Sequence, residues 1–289
     1  MLLMIVVIGA TGRYGREVIE HLLRRGVPAA EIVAAVRTPT EATALAALGV
    51  GVRHADHDRP ETLPTAFAGA DKLLLVSSTG PDPVRVAQHR AIIDAAAKAD
   101  VGLVAYTSVT RAATNPMTSA RVHRDTEQAL TASGLPTVLL RNGWYTENHT
   151  ATLPGAVARG TLSGSAGQGR IASATRSDLA EDAAVILTLD NQAGKIYDLT
   201  GDTAWTLPEL AAACAAHTGR PVTYTDLPAE QYWQSLTQAG LPSHTADLIV
   251  DADLYISQGA LAHITGDLSL VLERTTTPLT TVVARTLGI

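Results

Sequence analysis

The chain has 289 residues, 46% hydrophobic and 17% charged, long enough for one large domain or two small ones with a sizeable core. A formal charge of −6 excludes the basic footprint of a nucleic-acid-binding surface, and the single Cys214 excludes an intrachain disulfide and fits a reducing compartment. The apolar start lacks a basic n-region and runs into glycines rather than a cleavage site, and no apolar run approaches the ~18 residues of a membrane helix, so a cytoplasmic protein without a membrane span is expected.

Met4-Ile-Val-Val-Ile8 predicts a strand that runs straight into Gly9-Ala10-Thr11-Gly12-Arg13-Tyr14-Gly15, with a helical pattern following at Val18, Ile19, Leu22 and Leu23. Strand, glycine turn and helix together make a dinucleotide-binding signature. The first glycine allows the tight turn, the second the approach of a pyrophosphate, and the third close packing of helix on strand. The orphan N–H groups and dipole of the helix face the phosphates. Further strands are expected at Glu31–Arg37, Val50–His54, Lys72–Ser78, Leu103–Ser108 and Pro136–Arg141, with helices at Ala42–Leu48, Pro60–Phe67 and Val84–Ala99. Alternation at this spacing predicts right-handed crossovers and an α/β, Rossmann-type doubly wound parallel sheet.

Beyond residue 150 glycine and threonine become frequent, Asp178 is placed as the N-cap of a helix, Lys195–Thr200 reads as a strand, and Trp205–Glu209 opens another helix. The expected organisation is an NAD(P)-binding domain over 1–150, to which segments near 170–200 return, and a smaller α/β substrate-capping domain over 151–289. No sustained heptad or self-complementary patch reveals the oligomeric state.

Ligands of such sheets lie beyond the carboxyl ends of the strands. That rule selects Gly9, Ala10, Thr11, Gly12, Arg13, Tyr14, Arg37, Asp56, Ser77, Ser78, Thr79, Thr107, Ser108, Asn142, Gly143, Trp144 and Tyr145 as candidate cofactor-binding residues. The end of the second strand holds Arg37 where an NAD-specific site would place a carboxylate. Arginine offers a 2′-phosphate a bidentate partner, so NADPH (NADP+) is expected in preference to NADH; the other reading of Arg37 is a solvated charge. Asp56 reads either as an adenine neighbour or as a loop cap, and Trp144-Tyr145 as a cleft wall or as packing between domains. His54-x-Asp56-His57-Asp58 holds metal-ligand residue types, but neighbours on a strand end point apart, so no metal is expected.

None of the seven tyrosines has a lysine four residues on, so the Tyr–Lys acid pair of short-chain dehydrogenases is missing. His123 and Glu127 stand one helical turn apart, readable as a proton donor held by a carboxylate or as a surface pair. His123 is the one catalytic candidate. Ketone reduction needs a proton at the forming alkoxide, whereas a quinone yields a phenolate-type anion whose acid has pKa ~10. The missing acid therefore tilts the expectation toward small-molecule quinones or cationic dyes.

Gly9-Ala-Thr-Gly12-Arg-Tyr-Gly15, Ala-Tyr106-Thr-Ser108, His123-x-x-x-Glu127, Leu-Arg141-Asn-Gly-Trp-Tyr145-Thr-Glu-Asn148, Ile171-Ala-Ser-Ala-Thr-Arg176-Ser-Asp178 and Gly201-Asp-x-Ala-Trp205-Thr-Leu resemble the NmrA-like atypical short-chain dehydrogenases, near the bacterial quinone and triphenylmethane dye reductases. The resemblance covers essentially the whole chain. It implies a Rossmann domain, a smaller C-terminal domain closing over the nicotinamide, and NADPH as hydride donor. It also implies cofactor contacts at the glycine turn, Arg37, Ser77–Thr79 and Asn142–Tyr145. The stretch Thr79–Val86 departs from the pattern. Two other functions share the same motifs: a non-catalytic NADP-sensing regulator, and a reductase of a specialised biosynthetic aromatic.

Overall fold

The computed structural model describes residues 3–289. In chain order its elements are β1 (Ile5–Ile8), α1 (Arg13–Arg24), β2 (Ile32–Val36), α2 (Thr43–Ala47), β3 (Gly51–His54), α3 (Leu63–Phe67), β4 (Lys72–Leu75), α4 (Asp82–Lys98), β5 (Leu103–Val109), α5 (Ala120–Ser133) and β6 (Thr137–Asn142). There follow α6 (Glu147–Thr150), α7 (Leu153–Arg159), β7 (Thr161–Gly164), β8 (Arg170–Ile171), α8 (Arg176–Thr188), β9 (Ile196–Leu199), β10 (Trp205–Thr206) and α9 (Leu207–Thr218). The chain ends with β11 (Thr223–Asp226), α10 (Ala229–Gln238), α11 (Ser243–Ser257), α12 (Asp267–Leu272) and α13 (Leu279–Leu287).

Two compact units emerge. The first comprises residues 1–113, 121–142 and 177–198, and the second residues 114–120, 143–176 and 199–289. The first is built on a seven-stranded sheet of order β3-β2-β1-β4-β5-β6-β9, with β1 to β6 joined by parallel pairings. β1 and β2 read Ile-Val-Val-Ile and Ile-Val-Ala-Ala-Val and are buried along their whole length, as strands covered on both faces must be. Their core joins Phe67, Leu73, Leu75, Ile92 and Tyr106. The order reverses between β1 and β4, the switch point where doubly wound sheets bind ligands.

Two expectations need correction here. The fourth strand stops at Leu75 instead of Ser78. Side chains take over its ladder: Ser77 N–H donates to Thr107 Oγ1 at 2.8 Å and Ser78 N–H to His89 Nε2 at 3.0 Å. Asp178 does not cap its helix, because α8 already begins at Arg176 and Asp178 lies buried in its first turn.

The second unit has its own core of Leu153, Ile171, Trp205, Leu207, Leu210, Ile256 and Val283. Two short ladders support it, β8 with β10 and β11 with β7; the strand β11 lies in a tail read from sequence only as short helices and turns. Thr206 opens α9 with a complete capping box: its side chain accepts from Glu209 N–H at 3.2 Å and its own N–H donates to the Glu209 carboxylate at 2.8 Å.

Candidate cofactor and active site

β1 delivers Gly9 at φ +70°, the left-handed turn that lets the backbone double back into α1. Gly12 N–H closes the turn on Gly9 O at 3.0 Å, and a Cβ on Gly15 would stand 2.5 Å from that oxygen, so only glycine lets α1 sit this close to β1. Gly12 is the helix N-cap and supplies no side-chain cap, and the first turn carries no acidic residue. The N-terminal N–H groups of α1 thus keep their capacity for an anion. Arg13 and Thr11 are exposed beside them, while Tyr14 turns inward and donates to Leu179 O at 3.0 Å.

Arg37 follows β2 directly, is exposed, and has no ion-pair or hydrogen-bond partner among the described residues. Asp56, after β3, accepts Asp58 N–H at 3.1 Å, which is the loop-capping role. Asn142 ends β6 with its carboxamide buried, and neither Nδ2 nor Oδ1 finds a partner among the described residues. Burying a carboxamide without partners is costly, which makes Asn142 a candidate contact for a polar ligand. Glycine turn, uncapped helix end, unpaired arginine and orphaned carboxamide all belong to the carboxyl edge of one sheet, and together they fit a dinucleotide carrying a 2′-phosphate.

Other selected residues are engaged internally. Ser77 Oγ accepts from Arg85 Nη2 at 2.9 Å, and Ser78 Oγ lies 3.2 Å from His89 Nε2. Thr107 and Ser108 are buried, and Ser108 Oγ donates to Glu127 Oε1 at 2.6 Å. Thr79 is exposed. Gly143, Trp144 and Tyr145 begin the 143–176 segment of the second unit, where Trp144 Nε1–H donates to His149 Nε2 at 3.0 Å and the Arg176 guanidinium stands 5.1 Å over the Tyr145 ring.

The pairing of His123 with Glu127 does not form. Arg141 offers the carboxylate a two-pronged fork, Nε to Oε1 at 2.9 Å and Nη2 to Oε2 at 2.7 Å, and captures it. His123 Nδ1 instead lies within hydrogen-bond distance, 3.0 Å, of the Tyr106 hydroxyl. Burial and the nearby Arg85 charge push His123 down to about 3, and burial pushes Tyr106 up to about 12. Near neutral pH the imidazole is uncharged and the phenol holds its proton more tightly than a free tyrosine. Behind them His89 meets the Tyr106 ring edge-on at 5.7 Å. The Thr126 hydroxyl gives its proton to Val122 O, so His89 Nδ1–H donates to it at 2.8 Å. Burial holds His89 neutral, down to about 3. The sequence pattern passed over His89 and Arg85 and gave Arg141 no role beyond its motif, because nothing local in the chain marks side chains that meet from separate helices and strands.

A parallel doubly wound sheet with a glycine turn at its switch point defines a dinucleotide-binding oxidoreductase fold. The chain belongs to the NAD(P)H-binding family, whose model matches residues 9–190, and the NmrA-like resemblance of its motifs holds. It is 45% identical to quinone oxidoreductase 2 of Escherichia coli (strain K12), over 96% of either chain. Its structure matches that of the NADPH-dependent quinone oxidoreductase QOR2 of Escherichia coli complexed with NADPH, with TM-score 0.94, 44% identity and coverage of 98% and 99%. It also matches the Citrobacter sp. triphenylmethane reductase complexed with NADP(H), with TM-score 0.94, 35% identity and coverage of 98% and 99%.

Proposed function

We propose that this chain is an NADPH-dependent oxidoreductase that passes hydride to a quinone or a similarly electrophilic aromatic acceptor. The observation that supports this reading is the missing acid pair: no tyrosine has a lysine four residues on, and the one catalytic candidate, His123, is a neutral imidazole 3.0 Å from the buried Tyr106 hydroxyl. An acceptor whose reduced anion is already a weak base does not need such a donor, and positioning supplies most of the catalysis. Bound NADPH supplies the hydride. The glycine turn and the N-terminus of α1 hold its pyrophosphate, Arg37 with Arg13 its 2′-phosphate, and Asn142 offers a donor and an acceptor on the same edge. The cofactor falls to the first unit and the acceptor to the second. The quinone and dye reductases with which the chain shares its length and fold support the same assignment.

The test is the loss of NADPH absorbance with a panel of benzoquinones, naphthoquinones, triarylmethane dyes and plain ketones. Turnover is expected with the first three and none with the ketones. Tight NADPH binding with a flat trace for every acceptor would make the chain an NADP sensor instead.

A further inference from the structure

The second unit encloses a cavity of about 620 Å³, within the range of sites that hold a ligand of drug size. Its walls are apolar and aromatic, with Trp144, Leu162, Leu236, Leu241 and Ile249 among them. One buried charged group breaks this surface. Asp253, on α11, is 2% exposed yet lines the cavity. Its Oδ2 accepts Ser165 N–H at 2.7 Å, the Ser165 side chain also lies within reach of the carboxyl, and no cation pairs with it among the described residues.

The surroundings hold this carboxyl in place without neutralising it. A Cβ on Gly164 would stand 3.1 Å from Asp253 Oδ2 and 2.8 Å from Leu207 Cδ1, so β7 packs beneath it with no room to spare. The groups that face it are the Ser165 amide and side chain beyond β7, Tyr224 and Asp226 on β11, and Tyr232 on α10, none of them cationic. Desolvation, with Asp226 adding to it, pushes Asp253 up to about 6. Arg159 also lines the cavity but is exposed and makes no ion pair with Asp253. On another wall His149 takes the Trp144 N–H on Nε2, so its proton is on Nδ1; burial holds it down to about 4, a neutral donor.

A buried carboxylate without a cationic partner is costly, and among the described residues the unit supplies it none. We propose that the cavity binds a flat, apolar molecule bearing a positive charge or a hydrogen-bond donor, and that Asp253 selects this molecule by receiving that group on its carboxylate. The proposal depends on the reductase reading only in taking the molecule to be the hydride acceptor. A cationic dye and a hydroxyl-bearing quinone are the two sources of this chemistry.

The experiment is a binding titration of the full chain without NADPH, using a cationic triarylmethane dye, a naphthoquinone with a phenolic hydroxyl, and unsubstituted naphthoquinone. At least one of the first two should bind wild type about tenfold more tightly than the unsubstituted quinone. If the charge is what Asp253 reads, Asp253→Asn loses about tenfold for the dye; if the donor is, Asp253→Asn keeps the hydroxyquinone and Asp253→Leu loses about tenfold. Unsubstituted naphthoquinone should change less than about twofold throughout. Equal wild-type affinities, or equal losses for all three probes, overturn the proposal. Should the variants not fold, wild type decides: its preference for the dye should shrink between about pH 7.5 and about pH 5 as Asp253 takes a proton, and a constant preference that ignores pH overturns it for the charge, leaving the hydroxyquinone comparison to decide the donor. Selective binding without NADPH turnover refutes the reductase reading alone, and turnover without selectivity refutes this one alone.

Discussion

At the scale of single residues, function turns on what each polar group is left to do after folding. Arg37 and Arg141 are both strand-end arginines. Arg141, 15% exposed, is spent on Glu127, a carboxylate itself 12% exposed, and the pair ties α5 to β6. Arg37 stays exposed and unpaired at the end of β2. A bidentate arginine–phosphate contact strengthened by charge is worth about 1.5–3 kcal/mol. Arg37→Ala is therefore expected to raise the NADPH dissociation constant about 10- to 100-fold and to leave NADH within about threefold, as read by titration of each cofactor. Equal weakening of both would place Arg37 away from the 2′-phosphate.

At the scale of elements, the glycine turn shows how a motif becomes a site. Its first and third glycines have separate duties: Gly9 takes the left-handed turn, and Gly15 leaves the space through which α1 approaches β1. Gly15→Ala would press a methyl group against the Gly9 carbonyl. It is expected to cost about 1–3 kcal/mol in unfolding free energy and to weaken NADPH binding, because the helix end moves off the pyrophosphate. Denaturant midpoints and NADPH titration check this. An unchanged midpoint would mean that α1 yields at no cost. β4 carries a related lesson: its early end at Leu75 comes from hydroxyl and imidazole side chains replacing its partner strands, and it turns Ser77 and Ser78 into rim residues.

At the scale of the whole molecule, buried histidines set the response to acid. His89 and His123 are pushed down to about 3 and His149 to about 4. Below pH ~6.5 the unfolded chain protonates these groups while the folded chain does not, so stability falls with falling pH until their folded values are reached. Asp253 works the other way, since its folded value near 6 lies above the ordinary carboxylate range and favours the folded chain as pH falls to about 4. Three histidines outweigh one carboxyl. His89, 1% exposed, contributes on the order of 4 kcal/mol of this slope by itself. Melting temperatures should drop steadily from about pH 7 to about pH 4, and His89→Gln should flatten the drop. A flat wild-type profile would refute it.

The chain by itself determined the class of fold, because strand period, glycine spacing and alternation with helices are local properties that neighbouring residues in sequence express together. It marked the candidate cofactor edge for the same reason: a strand's carboxyl end is known once the strand is. It marked Arg37 by the absence of a carboxylate nearby. What only the tertiary structure decided is which partners the polar side chains choose. Glu127 takes Arg141 rather than His123 because a strand residue with a better fork is brought to it from 14 positions away. His123 loses its charge because burial and the nearby Arg85 charge disfavour the imidazolium. Asp253 faces a cavity made by helices and strands spread over more than a hundred residues. Packing and desolvation depend on what surrounds a group in three dimensions, and no local pattern encodes that.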